Sequence, residues 1–288
     1  MSDTPQPSTP APLWPDASLE ELLALAGQKY ALEFEPVSAG GVTLQIIQIA
    51  DMRERLDRAI AENALEDALH TLPLWAKIWP ASLILGHVLR RIPMQGRTFL
   101  EIGAGCGVTG LVAAALGFAK VCITDINEDA LLFARINILK NGLGGVAEVR
   151  RVDLLSDRLP ERFSCIAGSE VLYLGHLYGP LVKFLKRHLA LPGVISDSGS
   201  GSAAGSGPTS GPSSGMIFGP GSEQGPATVP EILLATDHRR NAKAFFKRAE
   251  KEFRVEHRNI GARESSTDGP EGGEERHLLT VHRLTPLR

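Results

Sequence analysis

Apolar positions follow two rhythms along the chain. In "SLEELLALAGQKY" they recur at helical spacing behind Ser18, with Glu21 three positions later, the signature of a capped helix. "ALEFEPV" and "VTLQIIQIA" flank Gly40-Gly41 and read as a hairpin. "DMRERLDRAIAENALEDALH" predicts a charged amphipathic helix leading into "LPLWAKIWPASLILGHVLRR". From Thr98 the rhythm changes, and short apolar runs take turns with helical segments. "TFLEIG", "KVCITDI", "AEVRRVDLL", "FSCIAGSEVLY" and "EILLATD" read as strands. Between them lie "TGLVAAALG", ending at Gly117, and "EDALLFARINILKN", capped by Asn127 and stopped by Gly142. "GPLVKFLKRHLA" and "RRNAKAFFKRAEKEF" are the remaining helices. The final strands, "RVEHRNI" and "ERHLLTVHRL", have no helix between them and should pair antiparallel at one end of the sheet. Alternation of this length predicts an α/β fold with an open, doubly wound, mostly parallel sheet.

The flanks differ in composition. Residues 1–17 are rich in Pro, Ser and Thr and are expected to form a disordered tail, followed by a helix and hairpin extension over 18–70. Residues 71–288 form the main domain, interrupted at 195–228 by a Gly/Ser/Pro-rich run that cannot pack and reads as a flexible insertion. Met216-Ile217-Phe218 is the apolar triplet within it.

A chain of 288 residues with 43% hydrophobic content can bury a full core. Its net charge of −3 leaves no footprint for nucleic acid. No apolar run approaches the roughly 18 residues a membrane span needs, and the N-terminus lacks the pattern of a secretory signal. Cys106, Cys122 and Cys165 are odd in number, widely spaced and without zinc-ligand spacing. They read as reduced thiols of a cytoplasmic protein with no metal, and Cys106 as a small filler within a glycine loop.

That loop, "FLEIGAGCGVTGLVAAALG", carries the chemistry and has two readings. Gly105-x-Gly107-x-x-Gly110, with Asp125 about 20 residues on, fits a dinucleotide fingerprint. Read from Glu101 as Glu-x-Gly-x-Gly-x-Gly, it fits a cradle for the amino-acid end of S-adenosyl-L-methionine. In a doubly wound sheet the ligand lies at the carboxyl ends of the strands, which gathers Gly103, Gly105, Gly107, Asp125 and Asp153 around one crevice. Glu101, on the strand end, can meet a cationic amine or sulfonium region. Asp125 suits ribose hydroxyls, and Asp153 an adenine amino group. The plainer alternatives are a local cap for Glu101 and a strand-end turn for Asp153. A nicotinamide enzyme needs a second domain or a further catalytic set downstream, and the chain supplies only a loop, one strand with its helix, and a hairpin.

Five parallel strands with a final antiparallel pair resemble the class I S-adenosyl-L-methionine-dependent methyltransferases, whose sheet is seven-stranded and Rossmann-like. The resemblance covers about residues 70–285. Trp79-Pro80 ahead of the glycines and Glu170-Val171-Leu172-Tyr173 after the fourth strand look like motifs of the family 16 protein methyltransferases, best known for lysine targets. The similar branch holds the electron-transfer-flavoprotein β-subunit lysine methyltransferases and their bacterial relatives. Family members more often carry Asp where this chain has Glu170, and the insertion at 195–228 also departs from their pattern.

The resemblance implies methyl transfer to a protein side chain, the lysine ε-amine first, by a monomer with a protein partner. It leaves open a small-molecule or other-residue acceptor, a nicotinamide oxidoreductase and a non-catalytic cofactor-binding protein. It further implies that Glu170 positions the acceptor, that Tyr173 walls its slot, and that Trp79 covers the cofactor. At i, i+4 spacing Trp75 and Trp79 also read as one packed helical face. His176 and His238 fall near the same strand ends and are left outside the catalytic set. The basic helix from Arg239 reads as a solvated face.

Overall fold

The computed structural model describes residues 10–52, 54, 58, 61, 73–191, 229–265 and 274–287. The insertion at 195–228, with Met216-Ile217-Phe218, lies outside them, as does most of the helix expected over 51–70, although Met52, Glu54, Arg58 and Ala61 are helical.

Local chemistry sets the first elements. Ser18 starts α1 (Leu19–Gly27) with a reciprocal cap: its hydroxyl accepts the Glu21 N–H at 3.2 Å, and the Glu21 carboxylate accepts the Ser18 N–H at 2.8 Å. β1 (Leu32–Ala39) and β2 (Val42–Ile49) pair antiparallel across Gly40-Gly41. Both glycines have positive φ, 61° and 84°, which a two-residue turn matched to strand twist requires. Leu22, Ala26, Ile46 and Ile47 belong to the same buried cluster as Phe99, Leu111 and Phe133, so the extension shares the core of the main domain.

Trp75 and Trp79 do not form the continuous helical face their spacing permits. Trp75 sits in a 3-10 turn (Leu74–Ala76), whereas Trp79 is the extended N-cap of α2 (Pro80–Leu89). Pro80 at the first helical position, where a missing N–H costs nothing, fixes that start.

β3 (Thr98–Ile102), α3 (Val108–Leu116), β4 (Lys120–Asp125), α4 (Glu128–Lys140) and β5 (Ala147–Arg151) follow in alternation. After them come β6 (Cys165–Ser169), α5 (Tyr178–His188), β7 (Glu231–Asp237), α6 (Lys243–Ala249), β8 (Phe253–Ser265) and β9 (Glu274–Pro286). Among the described residues the main sheet has seven strands in the order β5-β4-β3-β6-β7-β9-β8. The first five are parallel, and β9 runs antiparallel between β7 and β8. This is the doubly wound, Rossmann-like architecture expected, with the C-terminal pair at one edge. Order reverses between β3 and β6, which opens the crevice at their carboxyl ends. α6 is shorter than the sequence pattern, because Asp237, Arg239 and Arg240 are engaged in a turn before it.

Residues 10–17 correct the expectation of a disordered tail. Pro12 bridges Arg150 antiparallel, the Leu13 N–H reaches Val149 O at 3.0 Å, and Arg135 donates to Pro15 O at 2.9 Å. Leu13 and Trp14 pack against the core, and that apolar contact outweighs the composition of the segment. Residues 1–9 lie outside the described residues.

At the opposite end of the sheet from the crevice, Arg97 and Glu231 form a buried pair at 3.0 Å, with side chains 3% and 2% exposed. Arg97 also donates to Ser164 O at 2.7 Å, and Arg283 reaches the other Glu231 oxygen at 2.8 Å. Glu231→Leu strands the Arg97 charge and should cost about 3 kcal/mol, whereas Arg97→Met with Glu231→Leu should recover most of that loss. Urea unfolding midpoints of both variants check the pair, and a double variant less stable than the single one would refute this account. Among the described residues no helix is long and apolar enough to cross a membrane.

Candidate functional site

The loop between β3 and α3 is shaped by the protein's own groups. Gly103, Gly105 and Gly107 all have positive φ, between 56° and 82°. A Cβ on Gly105 would lie 2.5 Å from the Trp75 carbonyl oxygen, and one on Gly103 would lie 2.9 Å from Val171. Here the missing side chains make room for neighbouring chain segments.

The loop's N–H groups are also engaged. Ala104 donates to Thr124 O, Gly105 to Asp125 Oδ2 at 2.9 Å, Cys106 to Trp75 O at 3.1 Å and Gly107 to Ala104 O. Two carboxylates face this stretch, and the donors of residues 104–107 are already bonded. A diphosphate, which needs free N–H groups and no negative neighbours, is poorly served there.

Glu101 is 1% exposed. Its Oε2 accepts the Gly110 N–H at 2.7 Å, while Oε1 is buried and has no hydrogen-bond partner among the described residues. Burial pushes its carboxyl up to about 7, against the pull of the Gly110 N–H and of the neighbouring Thr109 hydroxyl and N–H. Asp125, at the end of β4, accepts from Gly105 and, through Oδ1, from Asn127 at 2.9 Å. Burial raises its pKa, and those two N–H groups oppose the rise. Asp153 follows β5 and folds onto its own turn, accepting the Leu155 N–H at 2.8 Å and the Ser156 hydroxyl at 3.2 Å. Burial raises the Cys106 thiol to about 12, which suits a filler.

Trp75 supports this loop from behind. Its ring packs edge-on against Phe133 at 4.9 Å and Tyr30 at 5.8 Å, so it belongs to the packing. Tyr30 donates to Asp129 at 2.8 Å. Asn137, fully buried, accepts the Ile47 N–H at 2.7 Å and donates to Cys106 O at 3.0 Å, which joins the β1–β2 hairpin to the loop. Trp79 is half-buried, its indole N–H on Leu74 O and Lys77 4.9 Å from its ring centre.

After β6 the chain turns sharply, so the strand is shorter than "FSCIAGSEVLY" predicted. Glu170 has φ 53°, and its N–H donates to Ala235 O at 2.9 Å. Its Oε1 accepts the Asp237 N–H at 2.6 Å, and its Oε2 pairs with Arg240 Nε at 3.1 Å. Val171 and Leu172 are buried, with Val171 filling the space beside Gly103 and joining this turn to the glycine loop. Tyr173 then stands 62% exposed. His176 is exposed, and the His238 ring contacts Leu278 O at 2.9 Å. Among the described residues no cluster of three or more metal-ligating side chains occurs.

Sequence reasoning missed two groups. Ile126 and Leu155 are 54% and 55% exposed beside the strand-end acids Asp125 and Asp153. An apolar residue next to an acidic strand end was the signal available. Arg240 gave no such signal, because its link to Glu170 spans 70 residues.

The sequence profile of a family described as lysine methyltransferase matches residues 54–196. Protein N-lysine methyltransferase METTL21A of Mus musculus is 30% identical over 174 residues, covering 58% of this chain and 70% of that protein. The Danio rerio METTL21A is 33% identical over 123 residues, and the chain spans about half of its length, 55%, and 40% of its own. The electron transfer flavoprotein beta subunit lysine methyltransferase of Mus musculus is 34% identical over 73 residues, covering 25% of this chain and 29% of that protein.

Proposed function

This chain belongs to the lysine methyltransferase family, and from that premise we propose that it transfers a methyl group from S-adenosyl-L-methionine to a protein lysine. The observation that carries the cofactor is the buried, unpartnered Oε1 of Glu101 beside a glycine loop whose N–H groups at 104–107 are engaged. An acceptor without a partner in a low-dielectric site favours a cationic donor. The residues fit the group: Glu101 and the 103–107 loop would hold its amino-acid end, Asp125 its ribose hydroxyls and Asp153 its adenine amino group. Ile126, Leu155 and Trp79 offer apolar cover. When bound, the cofactor supplies a methyl group on a sulfonium.

The chain's own task is to present a neutral amine in line with that methyl. A lysine ammonium has a reference pKa of about 10.4, so it must lose a proton before it attacks. An apolar, aromatic wall disfavours the charged form, and we assign that wall to Tyr173, exposed three residues after Glu170. Glu170 attracts and orients the cation on its arrival. The acceptor is a segment of another protein met by this monomer, and the compartment is the cytoplasm. The three free, buried cysteines support a reducing environment.

Calorimetric titration tests the cofactor. Wild type should bind S-adenosylhomocysteine at micromolar affinity and not NAD, and Asp125→Ala should weaken that binding by about 100-fold, the worth of two charge-assisted bonds. Binding of NAD alone would sink the reading.

A further inference from the structure

Glu170 already holds a cation. Its Oε1 is fixed by the short Asp237 N–H bond, and its backbone N–H is tied to β7. Oε2 instead meets one Arg240 nitrogen, Nε, at 3.1 Å, a single-pronged contact where a guanidinium can offer two. The Glu170 side chain is 16% exposed and that of Arg240 34%. The carboxylate is thus the less exposed of the two partners, and the arginine can withdraw into solvent. The neighbouring cationic groups are otherwise engaged: Arg239 grips Asp237 through two nitrogens at 3.0 and 2.8 Å, and the His238 ring faces Leu278 O.

Resting on the reading above, we propose that Arg240 is a specificity-determining residue that occupies the cation place on Glu170 and is exchanged for the ammonium of the acceptor lysine. The part-exposed oxygen then keeps a positive partner in both states, Arg240 when the slot is empty and the acceptor when it is filled. An amide or hydroxyl side chain, lacking charge, cannot displace the guanidinium. Selection for lysine arises in this competition as well as in the slot. Each acceptor must replace an existing ion pair, so Arg240 weakens acceptor binding without entering the methyl-transfer step.

Opposite signs make the test. Full-length wild type, Arg240→Gln, Arg240→Lys and Glu170→Gln are supplied with tritiated S-adenosyl-L-methionine and a protein extract, at limiting and at saturating extract. Arg240→Gln should raise incorporation about 3- to 5-fold at limiting extract, the worth of one half-exposed ion pair, with little change at saturation. Arg240→Lys should behave like wild type, and Glu170→Gln should fall about 10-fold at limiting extract. S-adenosylhomocysteine affinity, measured alongside, should hold within about twofold in every variant. If Arg240→Gln falls with Glu170→Gln, or matches wild type, Arg240 only braces the turn and the exchange is wrong. A wild-type protein that binds no S-adenosylhomocysteine overturns the underlying methyltransferase reading, and the exchange with it.

Discussion

Glu101→Gln should make the free protein more stable at pH 8 and nearly abolish its binding of S-adenosylhomocysteine. The carboxyl is buried and its pKa is raised from 4.5 to about 7, chiefly by desolvation. Its folded pKa lies above its unfolded one, so the stability this group contributes is present below about 4.5 and lost as pH rises through about 7. At pH 8 the ionised form costs roughly 3 kcal/mol that a neutral Gln avoids. Gln retains an oxygen for the Gly110 N–H, so the loop can persist. The melting temperature of the variant should therefore exceed wild type by several degrees at pH 8 and approach it near pH 4.5. Affinity should move the other way, by about 100-fold, because the charge that meets the cofactor's amine is gone. Thermal melts across pH together with calorimetry give both readouts. A variant that melts lower than wild type at pH 8 contradicts the burial argument, and one that binds normally contradicts the role of Glu101.

Gly105→Ala should be the most damaging single methyl in the site. Its Cβ would stand 2.5 Å from the Trp75 carbonyl, and φ is 56°, where an L side chain costs roughly 1–2 kcal/mol before any clash. Relief requires the Trp75 segment and the loop to separate. That would break the Cys106–Trp75 bond and shift the Gly105 N–H away from Asp125. We expect a loss of about 3 kcal/mol in unfolding free energy and no detectable S-adenosylhomocysteine binding. Gly142→Ala is the control. Its φ of 68° is similarly left-handed, yet nothing lies within 4 Å of the added carbon, so only the backbone cost should appear and binding should survive. Equal damage from both would show that backbone conformation, and not the contact with Trp75, governs the loop.

The features legible in the sequence are those decided within a few residues. Ser18 with Glu21, Gly40-Gly41, Asn127 and Gly117 each set an element's end by local bonds or backbone freedom, and the structure has all of them. Strand and helix alternation likewise forecast the sheet. The site divides by the same rule. Glu101, the glycines and Asp125 share one strand–loop–helix unit and its neighbour, and they converge as their spacing implied. What sequence could not supply were partners met only after folding. Arg97 lies 134 residues from Glu231, and Arg240 lies 70 from Glu170. Trp75 looked like one turn of a helical stripe because its real partners, Tyr30 and Phe133, come from the stretch after α1 and from α4. Residues 10–17 misled for a related reason, since composition describes a segment in isolation and says nothing of a groove that accepts Leu13 and Trp14.

The strip at residues 10–13 also gives the sheet a direction of growth. An exposed strand edge is a template on which any extended chain can pair, and β5 would be one without that strip. Pro10 and Pro12 have no N–H to offer a further strand, so what lies along β5 cannot itself be extended in register. β8 lies at the far end of the order, with no described strand beyond it. Among the described strands of the main sheet, addition of a further strand is thereby directed to the β8 end, opposite the β5 end beside Asp125 and Asp153.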